Sequence, residues 1–196
     1  MEIKSGSTDE KIVEATYRIL QKEGSEKATT KRIAAEAGVN EVTIFRNFKN
    51  KQNLIDVVKE YYLQKFIKQL EKLFDFDEDI GIEEYLEDKF AKVINLPDAE
   101  FSIIKIAVEE VREIPEKKLL ISKITDAVLD KLEDFFKLQL EKGTIRDLDP
   151  KMIALVSFSL IFQSVILWRI YNQGSDIINR DSVDTVMDIL FNGIAP

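Results

Sequence analysis

The chain has 196 residues, 45% hydrophobic and 33% charged, which is enough to bury a core in one or two domains. It has no Cys and no His, which excludes a disulfide frame, thiolate or imidazole metal sites, a Ser-His-Asp triad and the Glu-x-x-His di-iron motif of helical bundles. The formal net charge of −8 is unevenly spread: residues 1–55 carry a net +2 and residues 56–196 a net −10.

Only 7 Gly and 4 Pro punctuate a chain rich in Leu, Ile, Lys and Glu, so an all-α fold is expected. The start, MEIKSGSTDEK, lacks the apolar run of a signal peptide, and a cytoplasmic protein is expected. Ser7 and Glu10 have the spacing of a capping box. A first helix then runs to about Lys22, with Ile12, Ala15, Ile19 and Leu20 on one face and Thr16 placing a hydroxyl in the same stripe; Gly24 ends it. Thr29 or Thr30 caps a second helix reaching about Ala37, with Ile33, Ala34 and Ala37 as its apolar stripe. Gly38 suits a left-handed turn, and Val39 plugs it. Asn40 caps a third helix to about Phe48, in which Ile44 and Phe48 face inward and Val42, Thr43, Phe45 and Arg46 face out. This is the helix-turn-helix pattern, whose second helix enters the DNA major groove. Lys31, Arg32, Arg46, Lys49 and Lys51 outnumber Glu36 and Glu41 there, which is consistent with binding a polyanion at one end, or with a solvated surface.

Thr30, Ile33–Ala34, Ala37–Gly38–Val39, Thr43, Phe45, Phe48, Lys51 and Leu54 together resemble, without a gap, the signature of TetR-type transcriptional regulators. The resemblance covers roughly the first third of the chain. The family usually has Ser or a similar cap at Asn40, often Gly at Val42, usually Tyr at Phe45 and often His at Asn47. The Phe45 change removes a hydroxyl that could reach a phosphate. The resemblance implies a three-helix head joined by a long fourth helix to a helical body that holds an effector among helices 4 to 8.

Lys51 opens the fourth helix, carried to about Phe74, whose amide end can attract a phosphate. A single helix crossing from head to body is a lever. Asp75 to Gly81 is acidic, but it lacks the twelve-residue spacing of a calcium loop and reads as a solvated connection. Helices follow over about Ile82–Asn95, Ala99–Glu113 and Pro115 to Lys142–Gly143. Glu109, Glu110 and Glu113 lie within helical reach of Lys105 and Arg112, which favours a solvated face over a carboxylate site. Asp149–Pro150 starts an eighth helix, apolar nearly all round from Met152 to Tyr171 but interrupted by Ser157, Ser159, Gln163, Ser164 and Arg169, which argues against a membrane span. Such a helix needs cover on every side. A ninth helix covers about Asp181–Asn192. Helices about 150–173 and 181–192 are the expected homodimer interface, a four-helix bundle across a two-fold axis.

The expected division is a helix-turn-helix DNA-binding domain over 5–65, with the motif at about 29–48, and an effector-binding and dimerisation domain over 66–196. The expected partners are double-stranded DNA, a second copy and a small apolar effector. No cofactor, metal, catalytic residue or membrane is expected. Thr30, Lys31, Asn40, Asn47 and Lys51 are candidates for phosphates; Glu41, Val42, Thr43, Phe45 and Arg46 are candidates for bases. Candidate pocket walls are Phe66, Phe101, Ile104, Phe158, Phe162 and Trp168, with Tyr62 or Gln163 as polar handles. Arg169, the only charge between Met152 and Tyr171, points to a neutral or weakly anionic ligand. The alternative is a helical interaction module or small-molecule-binding protein whose head does not read DNA.

Overall fold

A computed structural model describes residues 3–110, 120–166, 169 and 181–192. Among these residues there are nine helices and no strand: α1 (Thr8–Glu23), α2 (Thr30–Ala37), α3 (Glu41–Phe48), α4 (Lys51–Leu73), α5 (Ile82–Ile94), α6 (Asp98–Glu110), α7 (Leu120–Glu141), α8 (Pro150–Ile166) and α9 (Asp181–Asn192). Each start and stop expected from the sequence within the described residues falls within a residue or so of these bounds. The expected end of α6 near Glu113 and start of α7 at Pro115 lie outside the described residues, as do Trp168 and Tyr171. Among the described residues no helix is long and apolar enough to cross a membrane.

The chain forms two compact units. The first holds α1, α2, α3, α4 as far as Phe66, and α6 from Ala99. Its head is built on local signals. The Ser7 hydroxyl accepts from the Glu10 amide at 3.1 Å and caps α1. Thr16 is fully buried, and its hydroxyl donates to the Ile12 carbonyl at 2.7 Å, so the polar interruption costs no unpaired group. Ile12, Val13, Ile19 and Leu20 of α1 are buried, as are Ile33 and Ala34 of α2, Ile44 and Phe48 of α3, and Leu54, Ile55 and Val58 of α4. Helix α6 is buried on most of its surface, through Phe101, Ile103, Ile104, Ile106 and Ala107. Its Ser102 hydroxyl lies 2.9 Å from the Tyr17 hydroxyl, and Gln21 of α1 donates to Ser102 Oγ and to the Ala99 carbonyl.

The second unit holds the end of α4 with α5, α7, α8 and α9. Its centre is aromatic: Tyr85 stacks on Phe135 at 3.9 Å, and the Tyr85 hydroxyl donates to the Phe74 carbonyl at 2.8 Å. Burial pushes the Tyr85 phenol well above its ordinary pKa. The acidic connection after α4 is tied down by one cation of α7 and one just past its end. Lys131 meets Asp75 at 3.1 Å, and Lys142 meets the Glu78 carbonyl and, at 3.8 Å, Asp79. No cluster of metal-ligating side chains occurs among the described residues. Arg169 is only 12% exposed; it donates to the Ile94 and Leu96 carbonyls and pairs with Asp98. It therefore closes the free carbonyl end of α5 and holds the first residue of α6, rather than lying open to a ligand.

Candidate nucleic-acid interface

The turn between α2 and α3 sets the reader helix. Gly38 sits at φ 66°, ψ 36°, a left-handed conformation that costs a side chain energy. There the Gly38 amide donates to the Ala35 carbonyl at 3.3 Å and the Val39 amide to the Ala34 carbonyl at 3.0 Å. These two bonds satisfy two of the last four carbonyls of α2. Asn40 then caps α3, its Oδ1 accepting from the Val42 amide at 2.9 Å. Across the turn, the Thr30 hydroxyl donates to Glu41 Oε1 at 2.6 Å, which joins the start of α2 to the start of α3. Both residues are thus engaged with each other in the unbound head.

Helix α3 buries Ile44 and Phe48 completely and leaves Val42 69% and Phe45 48% exposed. Arg46 is exposed beside them, and Thr43 is partly so. Two large apolar side chains and a guanidinium thus share the open face of an eight-residue helix. They match what base edges offer: thymine methyls and the paired acceptors of guanine. Arg46 Nε donates to Asn47 Oδ1 at 3.2 Å, and Asn47 Nδ2 donates to Asp9 Oδ1 at 2.6 Å. The start of α1 thereby holds the aim of Arg46. The chain leaves α3 through Lys49, the only described non-glycine residue with positive φ, at 67°.

Local pairing decides which cations remain for phosphates. Arg32 pairs with Glu23, which holds that carboxyl below its ordinary range, and Arg18 pairs with Glu36 at 3.1 Å. Lys31 and Lys49 are exposed, with no carboxylate partner among the described residues. Lys51 Nζ lies 3.4 Å from the Ser25 carbonyl, at the long limit of a hydrogen bond.

The residues singled out as pocket walls are divided between the two units. Phe66, Phe101 and Ile104 are buried in the first unit, where Tyr62 stacks on Tyr17 with ring centroids 3.5 Å apart. Burial, with the charge of Glu14 behind it, pushes the Tyr62 phenol up to about 12. In the second unit Phe158 stacks on Phe162 at 5.2 Å, and Gln163 is exposed; Trp168 lies outside the described residues. A separate cavity of about 280 Å³ lies wholly within the second unit, and none of these residues lines it. Its walls come from Ile82 and Leu86 of α5, Phe136 of α7, the loop Thr144–Leu148, Ile153 and Ser157 of α8, and Leu190 and Phe191 of α9. Its one sequence-level signal is Ser157, a polar interruption in an apolar helix.

The description "Bacterial regulatory proteins, tetR family" belongs to the family model that matches residues 12–58, which is the head just described. Over 163 residues the chain is 32% identical to the uncharacterized HTH-type transcriptional regulator YvkB of Bacillus subtilis (strain 168), spanning 79% of each. The chain belongs to the tetR family of bacterial regulatory proteins. As a tetR-family member it is a DNA-binding transcriptional regulator. Solved structures share the fold at lower identity. FadR from Bacillus subtilis in complex with stearoyl-CoA superposes with a TM-score of 0.63 at 22% identity, covering 95% of this chain and 99% of that one. AibR in complex with isovaleryl coenzyme A and operator DNA gives 0.62 at 20%, covering 94% and 98%.

Proposed function

We propose that this tetR-family chain is a cytoplasmic repressor, without catalytic activity, that binds an inverted-repeat operator as a homodimer and releases it when a small apolar effector binds. Residues 5–65 serve as the DNA-binding part and 66–196 as the effector and dimerisation part. The observation that carries this reading is the open face of α3. Val42, Phe45 and Arg46 are exposed there, with Lys31 and Lys49 uncommitted to carboxylates nearby in the chain. Arg46 suits a guanine, Val42 or Thr43 a thymine methyl, and Lys31, Asn40 and Lys51 the backbone.

Dimerisation is supported by the uncovered side of α8. Met152, Leu155 and Val156 are 53%, 41% and 49% exposed, and Ser159 and Gln163 continue the same stripe at helical spacing. Ile189 of α9 is 43% exposed. An exposed apolar patch on α8, with Ile189 on α9, fits a four-helix bundle made by two copies. The two readers then sit about 34–36 Å apart, one turn of the duplex. FadR was solved with stearoyl-CoA and AibR with isovaleryl coenzyme A, which supports an acyl group as the apolar part of the effector. Helix α6, in the effector part by sequence, is hydrogen-bonded to α1 of the head through Ser102, so a shift of α6 bears directly on the reader. A coupling of about 1–3 kcal/mol is enough to release DNA.

Gel shifts test the assignment of roles. On an operator selected from random duplexes, Arg46→Ala is expected to lose about 1–3 kcal/mol and relax preference at one position of each half-site. Lys31→Ala is expected to weaken selected and scrambled duplexes alike and flatten the salt dependence. The reverse pattern would overturn the assignment.

A further inference from the structure

The cavity of the second unit carries two polar features that the packing of the chain leaves unused. Ser157 is 1% exposed, lines the cavity, and its Oγ has no hydrogen-bond partner among the described residues. A buried hydroxyl without a partner costs free energy, so a group that satisfies it gains that amount on binding. Neighbouring polar groups do not compete for it. The Thr144 hydroxyl is spent on Gln139, at 2.7 Å from its Oε1 and 2.9 Å from its carbonyl. The second feature is Arg146, an exposed guanidinium in the wall, with no carboxylate partner among the described residues. Apart from Thr144, the rest of the wall is apolar: Ile82, Leu86, Phe136, Ile145, Leu148 and Ile153 among others.

An apolar pocket, one buried hydroxyl and one cation make a receptor for an amphipathic anion. We propose that this cavity seats the acyl chain of a short- to medium-length acyl carboxylate or acyl thioester. Ser157 Oγ donates to its carbonyl oxygen, and Arg146 serves the anionic end. The volume, about 280 Å³, stands at the lower edge of ligand-sized pockets. It suits a chain of modest length and not an entire coenzyme, so a thioester's nucleotide would stay outside. The proposal rests on the reading of the protein as an acyl-responsive regulator and adds the seat, the chain-length class and the two polar partners.

Isothermal titration of the full-length protein with octanoate and with octanoyl-CoA tests it and separates the free acid from the thioester. One of the two is expected to bind, and Ser157→Ala is expected to weaken it about fivefold. Because that change deletes an unpaired buried hydroxyl, the melting temperature of the free protein should hold or rise, whereas a merely structural serine would lower it. Arg146→Ala is expected to weaken binding about three- to tenfold in low salt and less in high salt. If wild type binds either compound and both variants bind it equally well, the seat is wrong and the acyl-responsive reading survives. If wild type binds neither compound, the seat and the acyl identity of the effector both fall, while selected-duplex binding continues to test the head alone.

Discussion

Gly38→Ala isolates the cost of the left-handed turn that aims α3. A Cβ built on Gly38 meets nothing within 4 Å, so neighbours add no steric penalty. What remains is the local clash of a side chain at φ 66°, about 1–2 kcal/mol. The two bonds from the Gly38 and Val39 amides need no change in backbone and should persist. A net loss of about 1 kcal/mol is therefore expected, equivalent to about 2–4 °C in a chain of this size. Gly38→Asn should lose about half as much, because asparagine tolerates this region. Urea unfolding followed by circular dichroism measures both, and operator affinity should fall little because the crossing of α2 and α3 is retained. If alanine matched glycine, the turn would not be left-handed in solution. A loss above about 3 kcal/mol would mean that the turn is crowded rather than open.

Lys49 leaves α3 at φ 67°, ψ −52°, so Lys49→Gly should relieve strain and raise stability by about 0.5–1 kcal/mol, while weakening DNA binding through the lost cation. Opposite signs in thermal melts and gel shifts are the expected outcome; a loss of stability would contradict the strain. Asp9→Ala removes the carboxylate that holds Asn47 and, through it, Arg46. Affinity for scrambled duplex should rise as a repelling charge disappears, while discrimination in favour of the selected operator falls. Equal changes for both duplexes would show that Asp9 acts on charge alone. Burial keeps the phenols of Tyr17, Tyr62 and Tyr85 neutral above their ordinary range, Tyr62 up to about 12. The stability they lend is complete below about pH 10, where unfolded tyrosines begin to ionise, and is lost as pH rises toward the folded values. Urea midpoints measured across that window should fall with pH.

The head was legible in the sequence because its rules are local. A hydroxyl or amide three or fewer residues before a free amide, a glycine after a short apolar stripe, and an i, i+4 pair such as Ile44 and Phe48 each name their own structure. The fates of Thr30, Glu41, Asn47 and Arg169 were not legible. Each has a polar side chain whose partner lies 11 to 75 residues away, and nothing local announces Asp9 for Asn47 or the Leu96 carbonyl for Arg169. The same holds for α6. Its apolar pattern foretold burial, but its place in the first unit comes from Tyr17, Gln21 and Ser102, which lie far apart in the chain. Aromatic stripes drew attention to Phe158 and Phe162, which stack on each other. The cavity depends on how Ile82, Phe136, Ser157 and Phe191 converge, and periodicity carries no information about that.

The account turns on two outward-facing α3 helices acting together on one duplex. Sedimentation of the wild-type chain with a duplex selected from a random pool, repeated at several salt concentrations, tests this most directly. Two chains per duplex are expected, on inverted half-sites centred about one helical turn apart, with affinity falling steeply as salt rises. A single chain per duplex, or a pool that yields no preferred sequence at low salt, would contradict it.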